Sequence, residues 1–294
     1  MQSRETRAFV LLVLVTMVWA GLLPTGKIAL RGVPPLTIAA IRMVIGSTFL
    51  FLYARRDPVN KVPWSPRLVA TFVILGFFGY FVSVGCTYYG LRQTTVTNAA
   101  LLNAASPATL ALLSAVLLKE WLPLQTFAGI GLSIIGVGII ITQGSWQVIA
   151  QSQYNPGDLI MLGTIMSWGF YTIYARRLME RISPLAVTTY TYMSGAFFLV
   201  VVSGLTEWQT WMPANTTLGS WVAIAYQTSM GTLAHFWFVD AVATIGPSRA
   251  GVFLNLVPVM AIALAVVFLH EPLTLPHLVG GAIVIGGIVL AARQ

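Results

Sequence analysis

The side chains in this sequence best suited to trade protons or hold a metal are eight acids, three histidines and one cysteine, Cys86. The acids are Glu5, Asp57, Glu120, Asp158, Glu180, Glu207, Asp240 and Glu271, scattered among the connections, and no two make a close metal-binding pair on one helix. His235 and Asp240 are five residues apart, roughly 140° around a helix, so they do not share a face. One cysteine leaves no intrachain disulfide and no thiolate cluster. Gly21 to Lys27 follows the phosphate-loop spacing until its last position, where Ile28 replaces the hydroxyl that would hold Mg²⁺, and the segment ends an apolar run instead of following a strand. These absences argue against an enzyme, a resident metal, a cofactor and ATP-driven work.

The remaining chemistry lies in polar groups inside apolar runs, where each is costly unless it is paired or faces a cavity. Arg42 sits about eight residues into the second run. Two readings are open for it: an anchor for a substrate carboxylate, or a structural base held by backbone carbonyls. Lys27 lies nearer the end of its run and is read as interfacial. Asp240 and His235 are either a proton-handling pair or a hydrogen-bonded helix end. Asn103, one turn before Pro107, offers a donor and an acceptor that suit a zwitterion or a helix contact.

Aromatic residues are the second signal. Trp19 and Trp168 fall well inside the first and sixth runs at matched places, to clamp a side chain or to fill the core. Tyr80, Ser83 and Tyr88 on the third run and Tyr171 on the sixth join them as candidate substrate contacts. Trp64, Trp121, Trp146, Trp208 and Trp211 fit the interfacial belts of a membrane protein. Pro107 and Pro258 each interrupt a run, removing a backbone hydrogen bond and making a hinge or a static kink.

These residues must be positioned by elements suited to lipid. The chain has 294 residues, 57% hydrophobic and 8% charged, with mean hydropathy +0.83. A soluble domain averages about 25% charged residues. Ten apolar stretches are predicted, at 8–29, 34–53, 67–90, 96–118, 124–143, 157–178, 184–203, 218–240, 249–269 and 274–292. They are too long and too uniformly apolar for barrel strands. The first, although preceded by Arg4 and Arg7, is read as a retained helix, not a signal peptide.

The pattern occurs twice. Pro107 and Glu120 recur as Pro258 and Glu271, at 258 − 107 = 271 − 120 = 151. Gly129 and Gly136 recur as Gly280 and Gly287 at the same offset. The halves, 1–147 and 148–294, therefore hold five helices each, and an odd number sends the second copy through the membrane upside down. With the N-terminus inside, the inner connections collect Arg4, Arg7, Arg55, Arg56, Lys61, Arg67, Lys119, Arg176, Arg177, Arg181, Arg249 and Arg293, while the outer ones hold Lys27, Arg31 and Arg92. That bias sets both termini in the cytoplasm. It also accounts for the net charge of +8 without a nucleic-acid partner.

Trp19 with Lys27, Pro34-Pro35 before Arg42, Tyr89-Gly90-Leu91, Asn98-Ala99-Ala100, Pro107, Lys119-Glu120 and Gly136-Val137-Gly138 resemble the drug/metabolite transporter superfamily, in its EamA-type ten-helix branch. Ala241, Ser248-Arg249-Ala250, Pro258, Glu271 and Gly280-Gly281 repeat the likeness in the second half. The resemblance implies an all-α integral membrane protein of ten transmembrane helices in two inverted five-helix repeats. It implies a central cavity and a secondary exporter of amino acids or related metabolites across a bacterial inner membrane. The aromatic richness is similar to the aromatic amino-acid exporter group. Glu120 and Glu271 match the family acid at the ends of helices 4 and 9, with a structural role in capping or pairing. The glutamate that small multidrug pumps carry in helix 1 is missing. Carriers of nucleotide sugars, phosphorylated sugars or drugs are the alternative. The partners implied are a small-molecule substrate and the lipid bilayer.

Overall fold

Three helix starts in this chain share one local grammar, a capping side chain followed by proline. In the computed structural model Ser65, Asn155 and Ser183 accept the backbone N–H of Leu68, Gly157 and Ala186, at 3.2, 2.8 and 3.1 Å, and each is followed by a proline. Proline costs nothing in the first turn, where its N–H would be unpaired anyway. The structure describes the backbone of residues 2–56, 60–119, 121–210, 216–245, 253–254 and 256–292.

Five spans come from the first half: α1 (Gln2–Ala29), α2 (Pro35–Ala54), α3 with α4 (Pro66–Gly76 and Ser83–Gln93), α5 with α6 (Val96–Ala104 and Ser106–Leu118) and α7 (Leu124–Thr142). A short α8 (Trp146–Ala150) leads to the second half: α9 (Pro156–Met179), α10 (Pro184–Thr206), α11 (Leu218–Ile245), α12 (Leu256–Leu269) and α13 (Leu275–Ala292). The described residues contain no strand. Five of these spans are long and apolar enough to cross a bilayer by themselves, and the bent pair α5–α6 makes a sixth. The helices α12 and α13 are shorter apolar ones. The protein is a multi-pass membrane protein.

Every principal pairing joins one half to the other: α1 with α11, α2 with α10, α4 with α9, α5 with α12 and α7 with α13. The pairs run antiparallel. Gly136 of α7 lies on Gly280 and Gly129 on Gly287, so the glycines duplicated in sequence meet each other in space. Lys119 and His270, also 151 residues apart, both end their helices in the left-handed region, with φ of 55° and 56°.

Two spans are irregular near mid-membrane. Between α3 and α4, Phe77–Val82 is wound as a π-helix. Between α5 and α6 the axis bends by 43° at Ala105. Pro107 is in the first turn of α6 and is exposed. The carbonyl it cannot serve, that of Asn103, instead accepts the Ser106 hydroxyl at 2.6 Å. The acceptor expected to be free at this kink is therefore occupied by its own chain. Ser106→Ala is expected to lower stability by about 1 kcal/mol, read as a lower unfolding temperature in detergent. A melting curve that overlays the parent's would refute this role.

Candidate functional site

Two polar sites are built on this frame. The first closes the face opposite the N-terminus. There α5 begins at Thr95, whose hydroxyl accepts the Asn98 N–H at 3.0 Å. Glu271, just past α12, accepts Val96 N and Thr97 N at 2.8 and 2.9 Å and the Thr97 hydroxyl at 2.8 Å. Glu207, just past α10, accepts Leu36 N, Thr37 N and the Thr37 hydroxyl at 3.2, 2.8 and 2.9 Å. Each carboxylate thus serves the first-turn donors and the positive dipole end of its partner helix.

The turn between α4 and α5 is tied down further. Lys27 of α1 donates to the carbonyls of Leu91 and Thr94 at 2.7 and 2.5 Å. Buried Asp158 of α9 accepts from the Thr94 hydroxyl and from Asn98 Nδ2, at 2.9 Å to Oδ2. Asn98 Oδ1 receives His277 Nε2 of α13 at 2.8 Å, while His277 Nδ1 accepts Thr274 N at 3.1 Å. That pattern sets a neutral imidazole with its proton on Nε2. The sequence reading left Asp158 and His277 unassigned, because each stands at a helix end and resembles an ordinary interfacial residue. Three acids meet helix starts here, but backbone and side-chain donors occupy them. Among the described residues no group of acids, histidines and cysteine is arranged to hold a metal.

The second site is central. Tyr80 belongs to the π-helical turn, and its hydroxyl shares a hydrogen bond with that of Tyr171 at 3.1 Å. Trp168 completes the group, with its ring 5.1 Å from Tyr171 and 6.0 Å from Tyr80. Tyr192 of α10 packs at a tilt against Tyr80, with ring centroids 4.4 Å apart. Glycines bring the backbones together: a Cβ at Gly79 would stand 2.5 Å from the Tyr171 ring. A π-turn at the centre of a span often marks a functional position.

Tyr192 also packs on α2 one turn from Arg42, where a Cβ at Gly46 would stand 3.0 Å from its ring. The Arg42 guanidinium donates to the Tyr88 hydroxyl at 3.5 Å, and Tyr88 donates to Gln227 Oε1 of α11. Arg42 has no acid partner among the described residues. Tyr88 is 2% exposed and Gln227 1%.

The structure thus brings Tyr80, Tyr171 and Trp168 together and places Arg42 with Tyr88. The two indoles do not meet: Trp19 packs on Phe238 of α11 at 5.2 Å. Ser83 donates to the Thr164 carbonyl at 3.4 Å and serves the contact between α4 and α9. Asn103 is half-exposed in the last turn of α5. Pro258 is half-buried in α12. The side chains of His235 and Asp240, and all of Glu120, lie outside the described residues. Tyr192 and Gln227 were not picked out from sequence, although an amide in mid-run such as Gln227 was a usable signal. An apolar cavity of about 230 Å³ opens between α6, α7 and α9, lined by Ala105, Ala108, Ile130, Leu162 and Ile165 among others, and holds none of these residues.

Comparison with known proteins decides the family. The sequence profile of the EamA-like transporter family matches residues 6–142 and again 155–293. The chain belongs to the EamA-like transporter family. It is 33% identical over 225 residues to the Uncharacterized transporter YyaM of Bacillus subtilis (strain 168), covering 76% of this chain and 72% of that one. It is 26% identical over 289 residues to the Probable terminal-alkyne amino-acid exporter of Streptantibioticus cattleyicolor (strain ATCC 35852 / DSM 46488 / JCM 4925 / NBRC 14057 / NRRL 8057), covering 96% and 92% of the two chains. A crystal structure of a protein 20% identical to it superposes with a TM-score of 0.61 over 98% of each chain, which speaks to the fold alone. The EamA assignment makes this a transporter and points away from catalysis.

Proposed function

We propose that this EamA protein exports amino acids, with apolar and aromatic ones favoured, by alternating access. The observation that carries the reading is the continuity of the central site: Tyr192, packed on α2 one turn from Arg42, links that cation to the ring cluster of Tyr80, Tyr171 and Trp168. A charged head and a cage of aromatic faces suit a molecule with one polar end and one apolar or planar end. The relative whose printed name is an amino-acid exporter supports the same class.

In this reading the halves 1–147 and 148–294 rock about the central site, and the protein lies in a bacterial inner membrane with both termini in the cytoplasm. Tyr80, Tyr171 and Trp168 hold the side chain of the substrate, and Arg42 with Tyr88 addresses its polar end. Trp19 and Asn103 border the route, His235 is retained as a further candidate contact, Ser83 keeps α4 on α9, and Pro107 and Pro258 serve as hinges. Carriage of a nucleotide sugar or phosphorylated sugar is disfavoured, because Lys27 is spent on two carbonyls and Arg42 is left as the one base at the site among the described residues.

The test is efflux from proteoliposomes loaded with phenylalanine, tryptophan or threonine. Saturable efflux is expected, fastest for the aromatic pair, and Trp168→Ala is expected to slow aromatic efflux on the order of tenfold while sparing threonine. Absence of saturable flux for every amino acid would reject the reading.

A further inference from the structure

The hydrogen-bond chain at the head of the central site has a direction. Tyr88 has one hydroxyl proton and gives it to Gln227 Oε1, so its oxygen is free to accept from Arg42. Turning the Gln227 amide over would set an N–H against an oxygen that already faces Arg42 and would leave the Tyr88 proton without an acceptor. In the orientation that satisfies the chain, Gln227 Nε2 is fully buried and has no partner. The guanidinium has five N–H donors, and among the described residues it makes one long hydrogen bond, to Tyr88.

This cluster therefore carries a surplus of donors, one of them on a full positive charge, and lacks an acceptor to match. A buried cation without a counter-ion is expensive, and so is an amide N–H without an acceptor. Glycines bring the backbones of α1 and α11 within van der Waals reach of both donors. A Cβ at Gly26 of α1 would stand 3.6 Å from Gln227 Nε2, and one at Gly231 of α11 would stand 3.9 Å from the Arg42 guanidinium. Gly231 is one turn from Gln227, so the two share a face of α11.

We infer that Arg42, Tyr88 and Gln227 seat a free carboxylate, that of the transported molecule. The inference rests on the transport reading above and sharpens it. The anion accepts from the guanidinium and from Gln227 Nε2, and Tyr88 holds both donors in register. An amide or ester at the same end of a ligand supplies no charge to offset Arg42 and is rejected. Gln227 is the residue that makes the seat more than a lone cation, since its buried N–H groups are satisfied when an anion is present.

The experiment is equilibrium binding to the full-length protein in detergent. The probes are phenylalanine against phenylalaninamide, leucine against leucinamide, and phenethylamine. Three variants are compared with the parent: Arg42→Lys, Gln227→Leu and Gln227→Glu. The free acids are expected to bind on the order of tenfold or more tighter than their amides, with that gap narrowed in Arg42→Lys, which keeps the charge but not the fork, and in Gln227→Leu, which removes the second donor. Gln227→Glu is the decisive variant. Its built-in carboxylate accepts from Tyr88 and supplies the missing counter-charge, so it is expected to abolish discrimination while raising the unfolding temperature. A role for Gln227 in packing alone predicts a lower unfolding temperature instead.

Equal binding of acid and amide would overturn the carboxylate seat while leaving an aromatic exporter standing. Acid-selective binding of leucine but not phenylalanine, weakened in the same variants, would uphold the seat and overturn the aromatic preference. No binding of any probe would overturn both.

Discussion

Gly136→Val and Gly287→Val are expected to be the most damaging single changes in the scaffold. A Cβ at Gly287 would lie 2.5 Å from the carbonyl oxygen of Gly129 and 2.8 Å from Ser133 N, and one at Gly136 would lie 2.7 Å from the Gly280 oxygen. These neighbours are backbone atoms, which cannot rotate aside, so α7 and α13 must separate along their crossing. In lipid, helices associate through close packing because there is little hydrophobic drive between them. The loss is therefore expected to reach about 3 kcal/mol or more, the upper end of overpacking costs. Controls lie on the same helices: Gly131, Gly138 and Gly286 have nothing within 4 Å of an added Cβ. Alanine there is expected to leave stability unchanged or to raise it by about 0.5–1 kcal/mol. Unfolding in detergent followed by fluorescence would compare the two sets. If the buried-glycine variants melted with the parent, this crossing would not hold the halves together.

The second large effect is expected at the two crossed caps. Glu271→Ala removes the acceptor for Val96 N, Thr97 N and the Thr97 hydroxyl, and Glu207→Ala does the same to Leu36 N, Thr37 N and the Thr37 hydroxyl. Hydrogen bonds to a charged group contribute roughly 1.5–3 kcal/mol, and loss of an N-cap alone costs about 0.5–2 kcal/mol. Each alanine is therefore expected to cost about 2–3 kcal/mol, and the two costs should be similar because the geometries match. Glutamine offers one acceptor oxygen and turns an N–H toward another N–H, so Glu271→Gln should recover little. Exposed Glu180 supplies the control, with Glu180→Ala expected to stay within about 0.5 kcal/mol of the parent. A strong loss at one cap with none at the other would break the equivalence of the two carboxylates.

The opposite end of the α2–α10 pair solves the same problem with a neutral group. There Ser183 caps α10 and donates its hydroxyl to Asn60 Oδ1 at 2.7 Å, while Asn60 also donates to the Ala54 carbonyl at 3.0 Å. At the other end of this pair stands the acid Glu207. Its capping role depends on α10 lying against α2, a fact of packing with no local sequence sign.

Sequence alone determined a great deal. Low charge and long apolar runs required a membrane protein, because such a chain has too little polar surface to face water. The 151-residue offset points to two related units, and five predicted runs per unit point to their inversion. The capped prolines marked three helix starts, since they act through their own neighbours. Tertiary structure alone decided which polar groups matter. The mated glycines, the carboxylates on helix starts and the chain from Arg42 through Tyr88 to Gln227 join residues between 46 and 175 positions apart. A hydrogen bond depends on position and angle within a few tenths of an ångström, and periodicity along a chain contains neither. Sequence shows that a buried amide is costly, whereas only the folded neighbourhood shows whether that cost has been met.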